Sequence, residues 1–267
     1  LAEQYLTLAK EKDGESSPRY ATGLSWLAAI AQDRGQYDVA EAHYKRVLEI
    51  DEGALGPEHA DVGRDCNNLG LLYQEMGRYP EAQTLYDRGL AITEKALGPD
   101  HLLVARRLHN KAALLRLEGR SSEAEPLLDR VLAIQEKSPD AEPKDVGKTH
   151  SVLGRVYRDM GRYADAEAQH KRALAIFEKA YGADSVRASY ALNDLATLYQ
   201  MLGQNAQAEP LVQRALVIRQ KAWGAEHAEV ARSLYVLAGI HEKQGKIDAA
   251  TSEYRRALAM QEKTLGP

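Results

Sequence analysis

Apolar residues along the chain recur in steps of three and four, which is the spacing of an amphipathic helix. One such stripe consists of Val62, Cys66, Leu69, Leu72 and Tyr73. Comparable stripes predict two alternating series of helices, the first helices at 20–34, 62–76, 104–118, 146–160, 188–202 and 230–244, and the second helices at 38–52, 80–95, 122–137, 164–179, 206–221 and 248–263. The pattern therefore predicts an all-α protein.

The turn between a first and a second helix returns every 42 residues without insertion. It contains a glycine followed five residues later by an alanine: Gly35/Ala40, Gly77/Ala82, Gly119/Ala124, Gly161/Ala166, Gly203/Ala208 and Gly245/Ala250. Glycine suits a helix end because it adopts the left-handed conformation without the steric cost of a Cβ atom. A fixed period of this length indicates an array of repeats, in which each repeat buries its apolar face against its neighbours.

Other residue types keep the same period. An arginine recurs eleven residues after each turn glycine: Arg46, Arg88, Arg130, Arg172, Arg214 and Arg256. A small residue recurs seven residues before it: Ala28, Gly70, Ala112, Gly154, Ala196 and Ala238. An aromatic residue follows three residues after the small one at Tyr73, Tyr157 and Tyr199. A residue type found in every repeat indicates packing, whereas positions that vary are candidates for specificity.

The small residue, the aromatic residue, the turn glycine and the alanine resemble the tetratricopeptide repeat. The ordinary repeat of that family has about 34 residues. The longer unit here, its Ala-Leu-Gly-Pro-Glu-His-Ala-Asp-Val loop at 54–62 and its Asn-Asn-Leu at 67–69, resemble the kinesin light chain subtype. This resemblance implies a right-handed α-solenoid of six helix-turn-helix units, preceded by part of another helix.

The period also predicts the organisation of the chain. The expected segments are the end of a preceding helix at 1–11, six repeats at 12–53, 54–95, 96–137, 138–179, 180–221 and 222–263, and the start of a further loop at 264–267. These ends lead us to expect a longer parent protein. The loop at 138–143 lacks the Gly-Pro pair, so we expect local irregularity there without a domain break. Pro126 and Pro210 either delay or bend their second helices.

Composition and motifs point away from chemistry. The net charge is −4, which does not favour nucleic-acid binding, and the lone Cys66 excludes an internal disulfide or a multi-cysteine zinc site. No phosphate-binding loop, nucleophile elbow or metalloprotease motif is present. His59, His101 and His227 recur in phase, but successive repeats lie about 10 Å apart, too far for a shared metal. We expect no catalytic site, cofactor or metal, no membrane span, and a cytoplasmic protein.

In the family that the sequence resembles, first helices line a concave groove. We read five positions of each repeat, at 13, 10, 6, 3 and 2 residues before the turn glycine, and find eight basic and four acidic residues there. The predicted peptide-binding residues are Arg64, Asn67, Leu71, Arg106, His109, Arg116, Lys148, Ser151, Arg155, Arg158, Tyr190, Asn193 and Arg232. The arginines suit carboxylates, and Asn67 and Asn193 suit a peptide backbone.

The predicted function is a non-catalytic scaffold that binds an extended, acidic peptide of a protein partner in this groove. A second hypothesis is a sensor or regulatory array of a larger protein that carries a catalytic or ATPase domain elsewhere. A third is a structural array that self-associates through its ends. The sequence does not identify the partner.

Overall fold

A computed structural model describes residues 2–265, and all regular structure within them is α-helical. The helices are α1 (Ala2–Asp13), α2 (Pro18–Asp33), α3 (Tyr37–Leu55), α4 (Ala60–Glu75), α5 (Tyr79–Leu97), α6 (Leu102–Leu117), α7 (Ser121–Lys137), α8 (Pro143–Asp159), α9 (Tyr163–Tyr181), α10 (Val186–Met201), α11 (Asn205–Trp223), α12 (Ala228–Lys243) and α13 (Ile247–Leu265). From α2 onward they form consecutive pairs, so the predicted all-α repeat architecture is confirmed.

The first helices begin two or three residues earlier than predicted, as at Pro18 and Pro143. Similar small corrections apply to the second helices. These end two or three residues later than predicted where a glycine closes them, as at Gly56 and Gly98 (φ 90° and 86°). Pro126 lies inside α7, which already begins at Ser121, and Pro210 lies inside α11 in the same way. The prolines therefore do not delay their helices. Of the predicted end segments, residue 1 and residues 266–267 lie outside the described residues.

The chain divides into two compact units, unit 1 (Leu1–Pro139) and unit 2 (Asp140–Pro267). The division falls in the irregular loop at 138–143, where we had expected no domain break. Helix α7 closes there on Ser138 in an extended conformation (φ −97°, ψ 122°). Helices α3, α5, α9 and α11 instead close on a left-handed glycine, so the path of the chain differs at this loop.

The predicted turns are present in both units. The six turn glycines have φ between 70° and 77°, a region that residues with a side chain rarely adopt. At Gly77, the next backbone N–H, that of Arg78, donates to the carbonyl of Tyr73 at 2.8 Å, which closes the helix in a Schellman-type motif. The alanine five residues after each glycine is buried, as at Ala82 and Ala166.

Three of the six recurring arginines join successive repeats. Arg88 pairs with Glu52 at 2.5 Å and Arg130 with Glu94 at 2.7 Å in unit 1, and Arg214 pairs with Glu178 at 2.8 Å in unit 2. Each pair links a second helix to the second helix before it. This column of arginines therefore belongs to the scaffold, as its recurrence predicted.

Overpacking the turn should destabilise unit 2. Ala166 is fully buried where α9 meets α8, so Ala166→Leu should lower the free energy of unfolding by about 1–3 kcal/mol. Each unit contains one tryptophan, Trp26 in unit 1 and Trp223 in unit 2. Urea denaturation followed by Trp223 fluorescence in a Trp26→Phe background reports on unit 2.

The control for this substitution is Ala164→Leu, in the exposed first turn of the same helix. It should leave the denaturation midpoint nearly unchanged. Equal effects of Ala164→Leu and Ala166→Leu would contradict the packing described here.

Candidate protein-interaction surface

The first helices of each unit form one continuous face. Every substantial contact between helices that are not consecutive in the described chain joins two first helices: α4 with α6 in unit 1, and α8 with α10 and α10 with α12 in unit 2. The side chains that these helices leave open to solvent are therefore neighbours across successive repeats. We call them the first-helix face of each unit.

In unit 1, the two predicted arginines of α4 and α6 differ in their surroundings. Arg64 is held by three carboxylates: it pairs with Asp61, with Asp65 at 3.2 Å and with Asp51 at 3.4 Å. Arg106, one repeat later, is exposed, and the described residues provide no ionic partner for it. Arg106 is thus the more available cation of the two.

The predicted amide of unit 1 is not open to solvent. Asn67 is only 3% exposed, and its Oδ1 accepts a hydrogen bond from Nδ2 of Asn110 at 2.8 Å. Asn67 therefore ties α4 to α6. Its neighbour Asn68 is partly exposed and makes no side-chain hydrogen bond with the described residues.

The other residues of interest in unit 1 lie on the same two helices. Leu71 on α4 and Ala113 on α6 are partly exposed, and Leu117 at the end of α6 is exposed. His109 and Arg116 are partly buried on α6. The first-helix face of unit 1 therefore combines amides, an apolar strip and arginine side chains.

In unit 2, the predicted cations of α8 are mostly engaged within the protein. Arg155 pairs with Asp194 at 3.3 Å, and Arg158 pairs with its neighbour Asp159 at 2.9 Å. Lys148 is exposed, and the described residues provide no ionic partner for it.

The predicted polar residues at the position ten before the glycine are also buried in unit 2. Ser151 is buried on α8. Asn193 on α10 accepts hydrogen bonds from Ser233 at 3.2 Å and from Arg219 at 3.4 Å. Both residues therefore face the repeat interior and not the solvent.

Tyr190 and Arg232 lie near the beginnings of α10 and α12. The Tyr190 ring is exposed on one side, and the guanidinium carbon of Arg219 lies 5.1 Å from its centroid. Burial raises the pKa of Tyr190, with a further contribution from Glu229. Arg232 pairs with Glu229 at 3.1 Å.

The predicted positive excess is largely compensated within each unit. The count of eight basic and four acidic residues covered five positions of each repeat. It omitted the carboxylates that neutralise these arginines, which are Asp51, Asp61, Asp65, Asp194 and Glu229. Charge at chosen positions is a poor measure of surface charge, because neighbouring turns of the helix supply the partners.

Solvent exposure on the first helices is displaced by one residue from one of the positions that we chose from the sequence. Ten residues before the glycine, Asn67, Ser151 and Asn193 are buried, whereas nine residues before it Asn68, Asn110 and Asp194 are partly exposed. The position six residues before the glycine is partly exposed. Helical steps of three and then four residues towards the N-terminus lead from it to the positions nine and thirteen residues before the glycine. This helical spacing was the signal that would have identified Asn68.

The three histidines of the loops have a structural role. Each precedes a first helix and accepts a backbone N–H at its Nδ1 atom: His59 from Asp61 at 3.2 Å, His101 from Leu103 at 3.1 Å, and His227 from Glu229 at 3.2 Å. Such a bond satisfies a free N–H at the helix start.

The described residues contain neither a cluster suited to a metal ion nor a membrane-spanning helix. No three side chains of His, Cys, Asp or Glu lie close enough to hold a metal ion. No helix among these residues has the length and apolarity needed to cross a membrane.

Solved structures with a similar fold include repeat proteins of the kinesin light chain type. A Podosopora anserina protein described as a kinesin light chain, with nearly identical TPR-like repeats, is 26% identical; the match covers 79% of this chain and 100% of that one, with a TM-score of 0.61. BtubC from P. vanneervenii is 20% identical, with 90% and 93% of the chains covered and a TM-score of 0.64. A Rap protein complexed with Competence and Sporulation Factor is 15% identical, with 98% and 80% covered and a TM-score of 0.71.

A family model of the tetratricopeptide repeat matches residues 19–70, 65–137, 145–221 and 190–263. A comparison with curated protein sequences gives no match. Tetratricopeptide repeats mediate protein–protein interactions and are typically non-catalytic binding modules. Because the family model covers most of its length, the chain belongs to the tetratricopeptide repeat family.

Proposed function

We propose that the protein is a non-catalytic scaffold that binds an extended peptide segment of a partner along its first-helix faces. The observation that carries this proposal is the arrangement on α4 and α6. There, the amides of Asn68 and Asn110 in adjacent repeats share two helices with the apolar Leu71 and Ala113 and with Arg106. Arg106 is exposed and has no ionic partner among the described residues. These are the groups that an extended peptide needs: partners for its backbone, a surface for an apolar side chain and a counter-charge.

The amides suit the backbone of the peptide. Asn68 and Asn110 occupy the same repeat position on neighbouring first helices. The Asn110 side chain donates a hydrogen bond to the buried Asn67, which fixes its orientation. An amide group both donates and accepts hydrogen bonds, so it can bind a peptide N–H and C=O without reading the sequence. We assign this role to Asn68 and Asn110, and we assign the buried Asn67 and Asn193 to contacts between repeats.

The preference for acidic peptides rests on fewer residues than the sequence suggested. Arg106 in unit 1 and Lys148 in unit 2 are exposed and have no ionic partner among the described residues. Arg64, Arg155, Arg158 and Arg232 already have carboxylate partners. Arg106 therefore supplies the steering charge of unit 1 and Lys148 that of unit 2, and Leu71 with Ala113 supplies the apolar surface of unit 1.

A similar architecture holds a partner in a solved complex. The Rap protein, which resembles this chain in fold, is complexed with Competence and Sporulation Factor. This supports the use of a tetratricopeptide array as a holder for another molecule, although it does not identify the partner here.

The proposal is tested by capturing a partner with the full chain, mapping its binding segment with synthetic peptides and measuring affinity by surface plasmon resonance. Arg106→Glu should weaken an acidic peptide about tenfold or more, mainly through a slower association rate that depends less on salt. Asn68→Ala should act mainly on the dissociation rate. Neither substitution should alter the melting temperature, because neither side chain has a partner to lose.

The matched control is Lys137→Glu, which makes the same change of charge on an exposed side chain of the second helix α7. It should leave binding nearly unchanged. The proposal is wrong if Lys137→Glu and Arg106→Glu have equal effects, or if the peptide binds the Asn68→Ala and Arg106→Glu variants as it binds the parent.

A further inference from the structure

A pair of carboxylic acids is buried where the first repeat of unit 1 packs on the second. Asp51, near the end of α3, is 2% exposed, and Asp65 on α4 is 1% exposed. Both carboxyl groups contact the same guanidinium, that of Arg64. The residues at the same two repeat positions in unit 2 are Arg219 and Ser233, and there the guanidinium donates to the hydroxyl at 2.9 Å. Both positions thus belong to the junction between successive repeats.

One arginine satisfies half of this acid pair. Nη2 of Arg64 lies 3.4 Å from Oδ2 of Asp51, and its Nε lies 3.2 Å from Oδ1 of Asp65. The other two oxygens, Oδ1 of Asp51 and Oδ2 of Asp65, are buried and receive no hydrogen bond from the protein. A buried acceptor without a donor costs free energy. A single proton held between the two carboxyl groups supplies the missing donor.

Other charged groups lie around the pair, but none of those described donates a hydrogen bond to its two free oxygens. On the α4 side, Asp61 adds negative charge and His59 lies close enough to act on Asp51. On the α6 side, Arg107 is buried, its Nε has no hydrogen-bond partner, and burial lowers its pKa to about 10. On α5, Arg88 is already paired with Glu52 of α3.

The electrostatics favour one proton on the pair below about pH 7. Burial raises the pKa of Asp65 to about 7 against the opposing charge of Arg64, and the neighbouring Asp51 adds smaller upward contributions. Burial also raises the pKa of Asp51. Two carboxylates that share a buried site cannot both ionise without a large penalty.

We propose that Asp51 and Asp65 form a proton-dependent latch between the first two repeats. While the pair holds one proton, an O–H···O hydrogen bond joins α3 to α4. When the proton leaves, two negative charges face each other in a buried junction, and the contact between α3 and α4 weakens. The latch needs no partner molecule, so it is independent of the proposed peptide binding.

The direction of the pH dependence follows from proton counting. Between pH 4 and 7 the folded junction keeps a proton that the opened, solvated aspartate has lost. Raising the pH through this window therefore favours opening, by about tenfold in the equilibrium constant per pH unit for one linked proton. The effect levels off above the folded-state pKa of Asp65.

Two measurements on the full chain test the latch. Carbon-13 NMR of the side-chain carboxyl groups should show one proton leaving the pair with a midpoint near pH 7. Hydrogen exchange of α3 and α4, corrected for the intrinsic exchange rate, should show protection falling about tenfold per pH unit between pH 5 and 7. In Asp65→Asn, whose amide keeps a donor in place at every pH, this dependence should disappear.

The matched control is Asp61→Asn, which removes an exposed carboxylate that also contacts Arg64. It should keep the pH dependence of the parent protein. If Asp65→Asn folds poorly, Asp51→Asn tests the same pair from the other side. The latch is overturned if both buried carboxyl groups titrate below pH 5, or if the asparagine variants at 51 and 65 keep the parent's pH dependence.

Discussion

Replacing Arg219 with alanine should lower the free energy of unfolding of unit 2 by about 3–5 kcal/mol, the usual cost of removing one partner from a buried charged network. The guanidinium is fully buried between α10 and α12. It donates to Ser189 at 3.2 Å, to Ser233 at 2.9 Å and to the carbonyl of Glu229 at 2.9 Å. Alanine would leave these buried groups without their donor as well as opening a cavity.

The measurement is urea denaturation followed by Trp223 fluorescence in the Trp26→Phe background. Arg214→Ala is the matched control, because Arg214 lies on the same helix but is partly exposed, paired with Glu178 and bonded to the carbonyl of Ala183. Removing such a surface pair costs about 1 kcal/mol or less. Equal losses for the two variants would show that the buried network does not stabilise unit 2.

Repetition made the fold predictable from sequence. Each turn needs a glycine with positive φ, as at Gly77 and Gly161, and each helix pair needs a small residue where the two helices meet. These requirements are local and identical in every repeat, so they appear as columns with a fixed period. The arginine column was likewise predictable as scaffold, since Arg88 and Arg214 make the same contact in different units.

Repetition was a weaker guide to the binding surface. We had taken variation between repeats as a mark of specificity, yet the position sixteen after the turn glycine varies and is buried at the junction of repeats. Within the two units it holds Asp51, Thr93, Phe177 and Arg219. Such a position varies because a different pair of side chains packs at each junction. Only the partner across the junction shows whether a variable residue faces solvent.

In the fourth repeat, a change of residue type relative to the other repeats leaves a buried side chain without a hydrogen-bond partner. The residue nine after the turn glycine is Tyr44 in the first repeat and Tyr86 in the second, and each hydroxyl donates to a glutamine, Gln32 or Gln74. In the fourth repeat the same position is His170. The residue that corresponds to those glutamines is Arg158, which has no acceptor to offer.

The His170 imidazole is consequently buried without a partner. It is 0% exposed, and neither ring nitrogen makes a hydrogen bond. Burial lowers the pKa of His170 to about 4, with the neighbouring Asp194 opposing this shift. The ring fits because residue 154 is glycine: a Cβ atom there would lie 2.5 Å from Cε1 of the ring.

Acid should therefore destabilise unit 2 through His170. Between pH 6.5 and 4 the unfolded histidine binds a proton that the buried one does not, so stability falls as the pH falls through this window. The expected loss is about 2 kcal/mol on going from pH 7 to pH 5. His170→Leu should remove this loss, as measured by urea denaturation at both pH values with Trp223 as the probe.

The third repeat shows which pair of residues can replace Gly154 and His170. Its corresponding residues are Ala112 and Leu128, and both are fully buried. Gly154→Ala alone should destabilise unit 2 by about 1–3 kcal/mol, since the methyl group meets the His170 ring. Gly154→Ala combined with His170→Leu reproduces the pair of the third repeat and should recover at least the parent stability at pH 5. If His170→Leu keeps the parent's loss of stability between pH 7 and 5, the acid sensitivity arises elsewhere. If the double variant is no more stable than Gly154→Ala, the destabilisation caused by Gly154→Ala does not come from a clash with the His170 ring.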